Sequence, residues 1–179
     1  MDFCNEYKFL NDENHVFIEI SYNDLRDMID EFKSGLVIIG GPWCNHTQAV
    51  MRETNQVAKR EKLDTVYVYN PRFINVFKEE EDLRDCESLE HKLDYYYLIE
   101  KIGYKNKNNE LVRDTLIQRM DTPTFIVIKN GSVIDYYTPE YIKDPYIRLE
   151  DSIEDKTMEF NSRIAGMIKK LKEIKIITD

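Results

Sequence analysis

The sequence predicts an α/β fold in which helices cover both faces of a mixed central sheet. Predicted strands and helices alternate through the first 70 residues, an order typical of parallel strands joined by helical crossovers. The run LVIIG, Leu36 to Gly40, is apolar throughout, as expected of a strand buried on both faces. Asn130-Gly131 separates two later apolar runs and predicts an antiparallel hairpin. Together these features predict one three-layer domain spanning residues 1–179.

The first predicted elements are a strand, Val16 to Ile20, and a helix. Ser21 and Asp24 match a capping box, so the helix is expected to begin there. Gly35 is expected to end it in the left-handed conformation. Its apolar face repeats with the helical period at Leu25, Met28, Ile29 and Phe32.

The LVIIG strand begins a second strand–helix–strand unit. The helix is predicted from about Cys44 to Lys62 and the next strand from Thr65 to Asn70. Asn70-Pro71 is a plausible helix start. The following stretch, about residues 73–119, is helical and polar in its pattern, and we interpret it as a helical insertion.

The chain is predicted to end in a hairpin and a long helix. The hairpin strands are Thr124 to Ile128 and Val133 to Tyr137. The C-terminal helix carries one apolar stripe, formed by Ile153, Phe160, Ile164, Met167, Leu171 and Ile174.

Composition excludes several classes of function. The net charge is −9 and basic residues are interspersed with acids, so we expect no nucleic-acid partner. No apolar run approaches the roughly 20 residues that span a bilayer, and the acidic N-terminus does not resemble a secretory signal. We therefore expect a cytoplasmic protein with no membrane partner. The sequence carries no prediction of oligomeric state.

Cysteine and histidine usage argues against structural disulfides and metals. Three cysteines, Cys4, Cys44 and Cys86, are an odd number in a chain without an export signal. Of the six cysteines and histidines, only Cys44 and His46 show a paired-ligand spacing, and a separation of two places them on different sides of a helix. We predict neither a metal nor another cofactor.

The stretch VIIGGPWCNHTQ resembles the active-site region of the thioredoxin family. Trp43-Cys44 lies where a buried strand is followed by a helix, and Thr122-Pro123 precedes the hairpin. The resemblance covers Val16 to Tyr137 and the last helix. It implies a thioredoxin-like three-layer α/β/α sandwich with the helical insertion before the cis-proline strand. It also implies a cis bond before Pro123 that lies against the active-site cysteine.

Three positions depart from the family pattern. The second cysteine is replaced by Thr47, the buried aspartate by Ile38, and the proline that kinks the active-site helix by Arg52. The fold is compatible with all three changes. Dithiol chemistry is not compatible with the first.

The resemblance makes Cys44 the predicted nucleophile of a one-thiol site. A thiol attacks as thiolate, which the N–H groups of a helix N-terminus stabilise. We expect His46 to assist when protonated and Thr47 to donate a hydrogen bond to the sulfur. Trp43, Thr122 and Pro123 are the predicted substrate-binding residues. The partners would be protein or small-molecule thiols and disulfides.

Release of a mixed disulfide is the step that the chain lacks. In a dithiol site the cysteine three residues on attacks it, and a threonine hydroxyl cannot. A second thiol of the substrate, a small thiol such as glutathione or another cysteine of this chain must act instead. Cys86 lies on a predicted apolar stripe and is better read as a buried structural cysteine.

Two other functions stay open at this point. In the first, the fold is a redox-inactive module that binds a protein partner, and the thiol is incidental. The second is a monothiol glutaredoxin, which would need a Gly-Gly turn after the second hairpin strand. The chain has DYYTPEY there, from Asp135 to Tyr141. Thiol–disulfide exchange of the isomerase or reductase type remains the main prediction.

Overall fold

The computed structural model describes residues 2–105, 112, 119–139 and 154–173, with the backbone alone at 154 and 155. Predicted stripe residues Ile153 and Ile174, and insertion residues 106–111 and 113–118, lie outside this part of the chain. The described elements are α1 (Phe3–Glu6), β1 (Phe17–Ile20), α2 (Tyr22–Asp30), β2 (Gly35–Ile39), α3 (Asn45–Arg60), β3 (Val66–Tyr69), β4 (Arg72–Ile74), β5 (Glu80–Asp82), α4 (Leu89–Ile102), β6 (Thr124–Lys129), β7 (Ser132–Tyr137) and α5 (Glu154–Lys172).

The predicted α/β class with a mixed sheet is confirmed. Five strands form the sheet in the order β1-β3-β2-β6-β7. The first three are parallel, whereas β6 pairs antiparallel with β2, and β7 pairs antiparallel with β6. All five residues of β2 are buried, as its continuous apolar sequence predicts.

Alternate residues of the strands face two separate apolar cores. Leu36 and Ile38 of β2 join a cluster that includes side chains of α1, α3 and α5. Val37 and Ile39 join a second cluster, which includes side chains of α2 and α4. Because successive side chains of a strand point to opposite faces, one apolar strand supports helical layers on both sides.

The start of α2 agrees with the sequence, but its end does not. Ser21 and Asp24 form the predicted capping box. Phe32, not Gly35, takes the left-handed conformation, and it is 76% exposed rather than part of the apolar face. Gly35 instead begins β2, where a Cβ atom would lie 2.8 Å from side-chain atoms of Met28 and Tyr67. The glycine is needed for close packing and does not end the helix.

The insertion is not helical throughout. Asn70-Pro71 does not start a helix, because β4 begins at Arg72 and pairs with β5 in a separate two-stranded hairpin. The Asn70 side chain accepts a hydrogen bond from the Arg72 N–H at 3.0 Å, a local turn that competes with helix formation. Only the later part of the described insertion forms a helix, α4.

Two further expectations concern the hairpin turn and the N-terminal segment. The hairpin turn is confirmed: Asn130 and Gly131 both have positive φ, 49° and 76°. Cys4, which precedes the first predicted strand, lies in the short helix α1 and packs against the first core cluster. Among the described residues, no helix is both long enough and apolar enough to cross a membrane.

Candidate functional site

Cys44 lies where the chain passes from the end of β2 into α3. It is the N-cap residue of α3, in an extended conformation, and its side chain makes no capping hydrogen bond. Its backbone N–H donates to the carbonyl oxygen of Gly41 at 3.0 Å, which closes a tight turn before the helix. The thiol is half-buried, and all three cysteines are free. The sulfur is therefore held at a helix N-terminus, on a residue that is partly exposed.

Thr122 contacts the Cys44 sulfur through two of its atoms. The thiol lies 3.5 Å from the carbonyl oxygen of Thr122, to which it donates, and the Thr122 hydroxyl donates to the sulfur at 3.4 Å. The Thr122–Pro123 peptide bond is cis. The register of β2 with β6, which pairs Ile39 with Thr124, brings this loop beside the end of β2. Two residues 78 positions apart are thus joined by strand pairing.

Thr47 does not make the hydrogen bond to the sulfur that the sequence predicts. Its side chain is 0% exposed, and its hydroxyl has no hydrogen-bond partner among the described residues. A Cβ atom added at Gly40 would lie 2.6 Å from Thr47 Oγ1 and 3.5 Å from Pro123 Cα. Thr47 therefore occupies a packed position between the β2–α3 loop and the proline. Thr122 supplies the hydroxyl instead.

His46 points into solvent on the first turn of α3. Its side chain is exposed, and within the described part of the chain it takes no part in the hydrogen bonds around Cys44. Two positions along a helix correspond to a rotation of roughly 200°, which turns the two side chains apart. An electrostatic role for His46 remains a prediction.

Trp43 is held by residues that the sequence analysis did not identify. Its indole N–H donates to the Asn70 side-chain oxygen at 2.9 Å. The Arg72 guanidinium lies 3.9 Å from the ring centroid and that of Arg84 5.2 Å, both within the range of cation–π interactions. Asn70 and Arg72 follow β3, the neighbour of β2, so the ends of adjacent parallel strands bring these groups together. The feature of the sequence that could have pointed to these partners was Trp43 itself, because its indole N–H requires a hydrogen-bond acceptor.

Arg84 connects Trp43 to the loop that precedes Pro123. It is 3% exposed, pairs with Asp82 through two nitrogens, and donates to the carbonyl oxygen of Met120 at 3.0 Å. Burial acts to raise the pKa of Asp82, but hydrogen bonds and charge from Arg84 outweigh it, so that pKa lies below its ordinary value. Through Arg84, the insertion therefore supports both Trp43 and the loop before Pro123.

Gln48 fixes the loop from the opposite side. Its amide nitrogen donates to the carbonyl oxygens of Pro42 and Glu6, each at 2.8 Å. Its amide oxygen accepts from the Lys8 N–H at 2.9 Å. The side chain therefore ties the N-terminal segment to the turn that carries Cys44. The only feature of the sequence that pointed to Gln48 as part of the site was its position directly after Thr47.

Cys86 is buried, as predicted, and its sulfur donates to a carboxylate oxygen of Glu81 at 3.2 Å. Burial and the Glu81 carboxylate raise the pKa of Cys86 to about 12. A thiol that holds its proton so firmly is a poor nucleophile at neutral pH. This environment does not favour Cys86 as the group that resolves a mixed disulfide.

The arrangement around Cys44 can support attack by a single sulfur. Helix N–H groups and the Thr122 hydroxyl are suitable partners for a thiolate. Ile38 lies wholly within the first apolar core. At this position the thioredoxin family, which the sequence resembles, has a buried aspartate. In comparisons with known proteins, no family model matches this chain, and no curated protein matches it.

Proposed function

We propose that this protein is a thioredoxin-like thiol–disulfide exchange protein that works through a mixed disulfide of Cys44. The observation that carries the proposal is the position of Cys44 Sγ, at the N-cap of α3 and within hydrogen-bond distance of Thr122. The strand order and the helices on both faces support the thioredoxin-like assignment. The cytoplasmic location stays a prediction of the sequence.

The proposed reaction has two exchange steps. The Cys44 thiolate attacks one sulfur of a substrate disulfide, forms a mixed disulfide and releases the other substrate sulfur as a thiolate. The mixed disulfide is then attacked by a second thiolate, and Cys44 leaves as thiolate. If the attacker is a different thiol of the same substrate, a new substrate disulfide forms and the net result is isomerisation. If two external thiols such as glutathione act in turn, the substrate is reduced and the small thiol is oxidised.

The loop at Thr122 offers a binding mode for an extended peptide. A peptide that pairs with this backbone would add a short strand and place its sulfur near Cys44. Trp43 is half-buried, so part of its ring is open to contact with such a peptide. Both features favour a disulfide within a polypeptide over a small disulfide alone.

Alkylation and trapping of the full chain test this proposal. We expect iodoacetamide to modify Cys44 much faster than Cys4 at pH 6, as measured by mass spectrometry of peptides. Incubation with a disulfide-containing protein should yield a reducible adduct that Cys44→Ser abolishes and the matched control Cys4→Ser retains. Equal, slow alkylation of Cys44 and Cys4, with no adduct, would reject thiol exchange.

A redox-inactive module that binds a protein partner is the second candidate. The tip of the β4–β5 hairpin exposes three apolar side chains, Ile74, Val76 and Phe77, and the latter two are 90% and 80% exposed. Adjacent exposed apolar residues are typical of contact surfaces. If this function is correct, Val76→Ser with Phe77→Ser abolishes co-purification of a partner that Cys44→Ala retains. A partner held only through a reducible bond to Cys44 would exclude it.

A further inference from the structure

Three potential metal ligands of different chemistry meet at the start of α4. They are Glu81 in β5, Cys86 in the following loop and His91 in the first turn of the helix, and their ligand atoms all lie within 4.8 Å of one another. Cys86 Sγ is 3.2 Å and His91 Nδ1 is 3.8 Å from the same oxygen of Glu81. In a tetrahedral zinc site the corresponding separations are roughly 3.3–3.6 Å, as follows from Zn–ligand distances of about 2.0–2.3 Å.

The histidine nitrogen that faces this cluster lies 3.8 Å from the Glu81 carboxylate, too far for a hydrogen bond. His91 Nδ1 is inaccessible to solvent and makes no hydrogen bond with any described residue. The ring packs edge-on against Phe73, with centroids 4.6 Å apart, and this contact holds its orientation. A buried ring nitrogen without a partner is costly unless something occupies the position it faces. Hydrogen bonds within the described part of the protein therefore do not explain why His91 Nδ1 faces this cluster.

We propose that Glu81, Cys86 and His91 bind one zinc ion, with a fourth coordination position open to the adjacent cleft. A thiolate and an imidazole favour zinc over Mg²⁺ or Ca²⁺, which prefer all-oxygen ligands. On binding, the Cys86 thiol becomes a thiolate and releases its proton to solvent. The site lies outside the residues that surround Cys44.

The surrounding charges favour a cation at this position. The cleft has a volume of about 330 Å³ and is lined by Glu81, Asp82, Asp85, Cys86, Glu87 and Ser88. Asp82 is paired with Arg84, and Asp85 with Arg119. Glu81 instead accepts hydrogen bonds from a neutral amide, Asn75, at 2.5 Å, and from the Cys86 thiol. Among the described residues no lysine or arginine pairs with this carboxylate, and its basic neighbour is His91 at 3.8 Å.

The spacing of cysteine and histidine along the chain does not indicate this site. Cys86 and His91 are five apart, which is not a familiar paired spacing, and Glu81 adds a ligand of a third type. The β4–β5 hairpin and the start of α4 supply the proximity that the spacing does not indicate. Glu81 on a strand and His91 on a helix turn are held more rigidly than ligands in a loop would be.

Titration of the reduced full-length protein with Co²⁺, a spectroscopic substitute for zinc, tests the proposal. We expect one equivalent to produce thiolate-to-metal charge-transfer absorption and tetrahedral visible bands, both of which Zn²⁺ displaces. Cys86→Ser should abolish the charge-transfer absorption. His91→Ala and Glu81→Gln should weaken binding at least about tenfold, and Asn75→Ala about 10- to 100-fold through loss of carboxylate orientation.

Three matched variants, Cys4→Ser, Cys44→Ser and His46→Ala, should bind as wild type does. Circular dichroism establishes whether each variant is folded. If Cys86→Ser is not, the partly exposed His91 provides the decisive substitution, His91→Ala. Absence of charge-transfer absorption from folded wild-type protein would overturn the proposal. Retention of binding in His91→Ala, or loss in Cys44→Ser but not in Cys86→Ser, would overturn it too.

Discussion

The hydroxyl of Thr122 lies 3.4 Å from the sulfur of Cys44, and the carbonyl oxygen of the same residue lies 3.5 Å from it. The two residues are 78 positions apart in the chain and meet because β2 and β6 are antiparallel neighbours. The hydroxyl can donate to a thiolate, whereas the carbonyl can only accept from a thiol. Thr122 can therefore support both protonation states of the sulfur.

Thr122→Val removes this hydroxyl while keeping the shape of the side chain. A hydrogen bond to a charged group contributes about 1.5–3 kcal/mol when well formed, and less for sulfur at a half-exposed site. We expect iodoacetamide to alkylate Cys44 about three- to tenfold more slowly at pH 7. The measurement is the second-order rate constant in a Cys4→Ser background, with unfolding curves to show that the fold is retained.

Thr47→Val is the matched control, because the Thr47 hydroxyl is buried without a partner. We expect no change in the alkylation rate and a rise of about 1 kcal/mol in the free energy of unfolding, since an unsatisfied polar group is removed from the interior. Slower alkylation in this variant would show that Thr47, rather than Thr122, interacts with the sulfur. Urea denaturation supplies the free energy.

Thr47→Cys tests the missing half of the chemistry and depends on the proposed function. Residues three apart at a helix start have Cα atoms roughly 5 Å apart, within the range of about 4.4–6.8 Å that a disulfide needs. With dithiothreitol present to keep the two thiols of the variant reduced, we expect it to reduce insulin at least about tenfold faster than wild type, because the second thiol releases the mixed disulfide and the pair becomes a disulfide in each cycle. Thr47→Ser, which keeps a hydroxyl, should show no gain. An oxidised variant without gain would contradict the exchange role of this site.

Arg84→Met breaks the buried pair with Asp82 and should lower the free energy of unfolding by about 2–4 kcal/mol at pH 7. The folded-state pKa of Asp82 lies below its unfolded value of about 3.9, so the pair stabilises the fold above that pH and the contribution is lost as pH falls through the folded pKa. The difference between wild type and variant should therefore shrink from pH 7 to pH 3.

Arg119→Met is the control for this pair. Arg119 contacts Asp85, but both side chains are about half exposed, at 48% and 47%. Exposed ion pairs contribute little, so we expect a change within about 0.5 kcal/mol. Urea titrations at both pH values compare the two variants. A pH-independent effect of Arg84→Met would show that lost packing, rather than the charge pair, accounts for its effect.

Two glycines should respond oppositely to alanine. Gly131 has φ of 76°, and an added Cβ would overlap the carbonyl oxygen of Ile29, so Gly131→Ala should destabilise the protein by more than about 1 kcal/mol. Gly166 lies inside α5, and nothing would lie within 4 Å of its Cβ. Gly166→Ala should stabilise the protein by about 0.5–1 kcal/mol. Thermal or urea unfolding of each variant measures both effects, and destabilisation by Gly166→Ala would contradict the open environment.

Local patterns determined most of the elements from the sequence alone. The buried run before Gly40, the capping box at Ser21 and the turn at Asn130-Gly131 each act through residues a few positions apart, and each is present. The same local reasoning was wrong at Gly35 and at Asn70. At these positions side-chain packing against Tyr67 and an alternative turn outweigh the helix signals.

The sequence placed Cys44 at the start of a helix, because a strand, a turn and a helix are consecutive there, and the resemblance at Trp43-Cys44 made it the candidate nucleophile. Only the tertiary structure decided which groups surround it: Thr122 rather than Thr47 at the sulfur, and Arg72 and Arg84 at the ring of Trp43. Those partners arrive through strand pairing and the insertion's hairpin. Their sequence separations carry no periodic signal, so contact depends on how the whole sheet assembles.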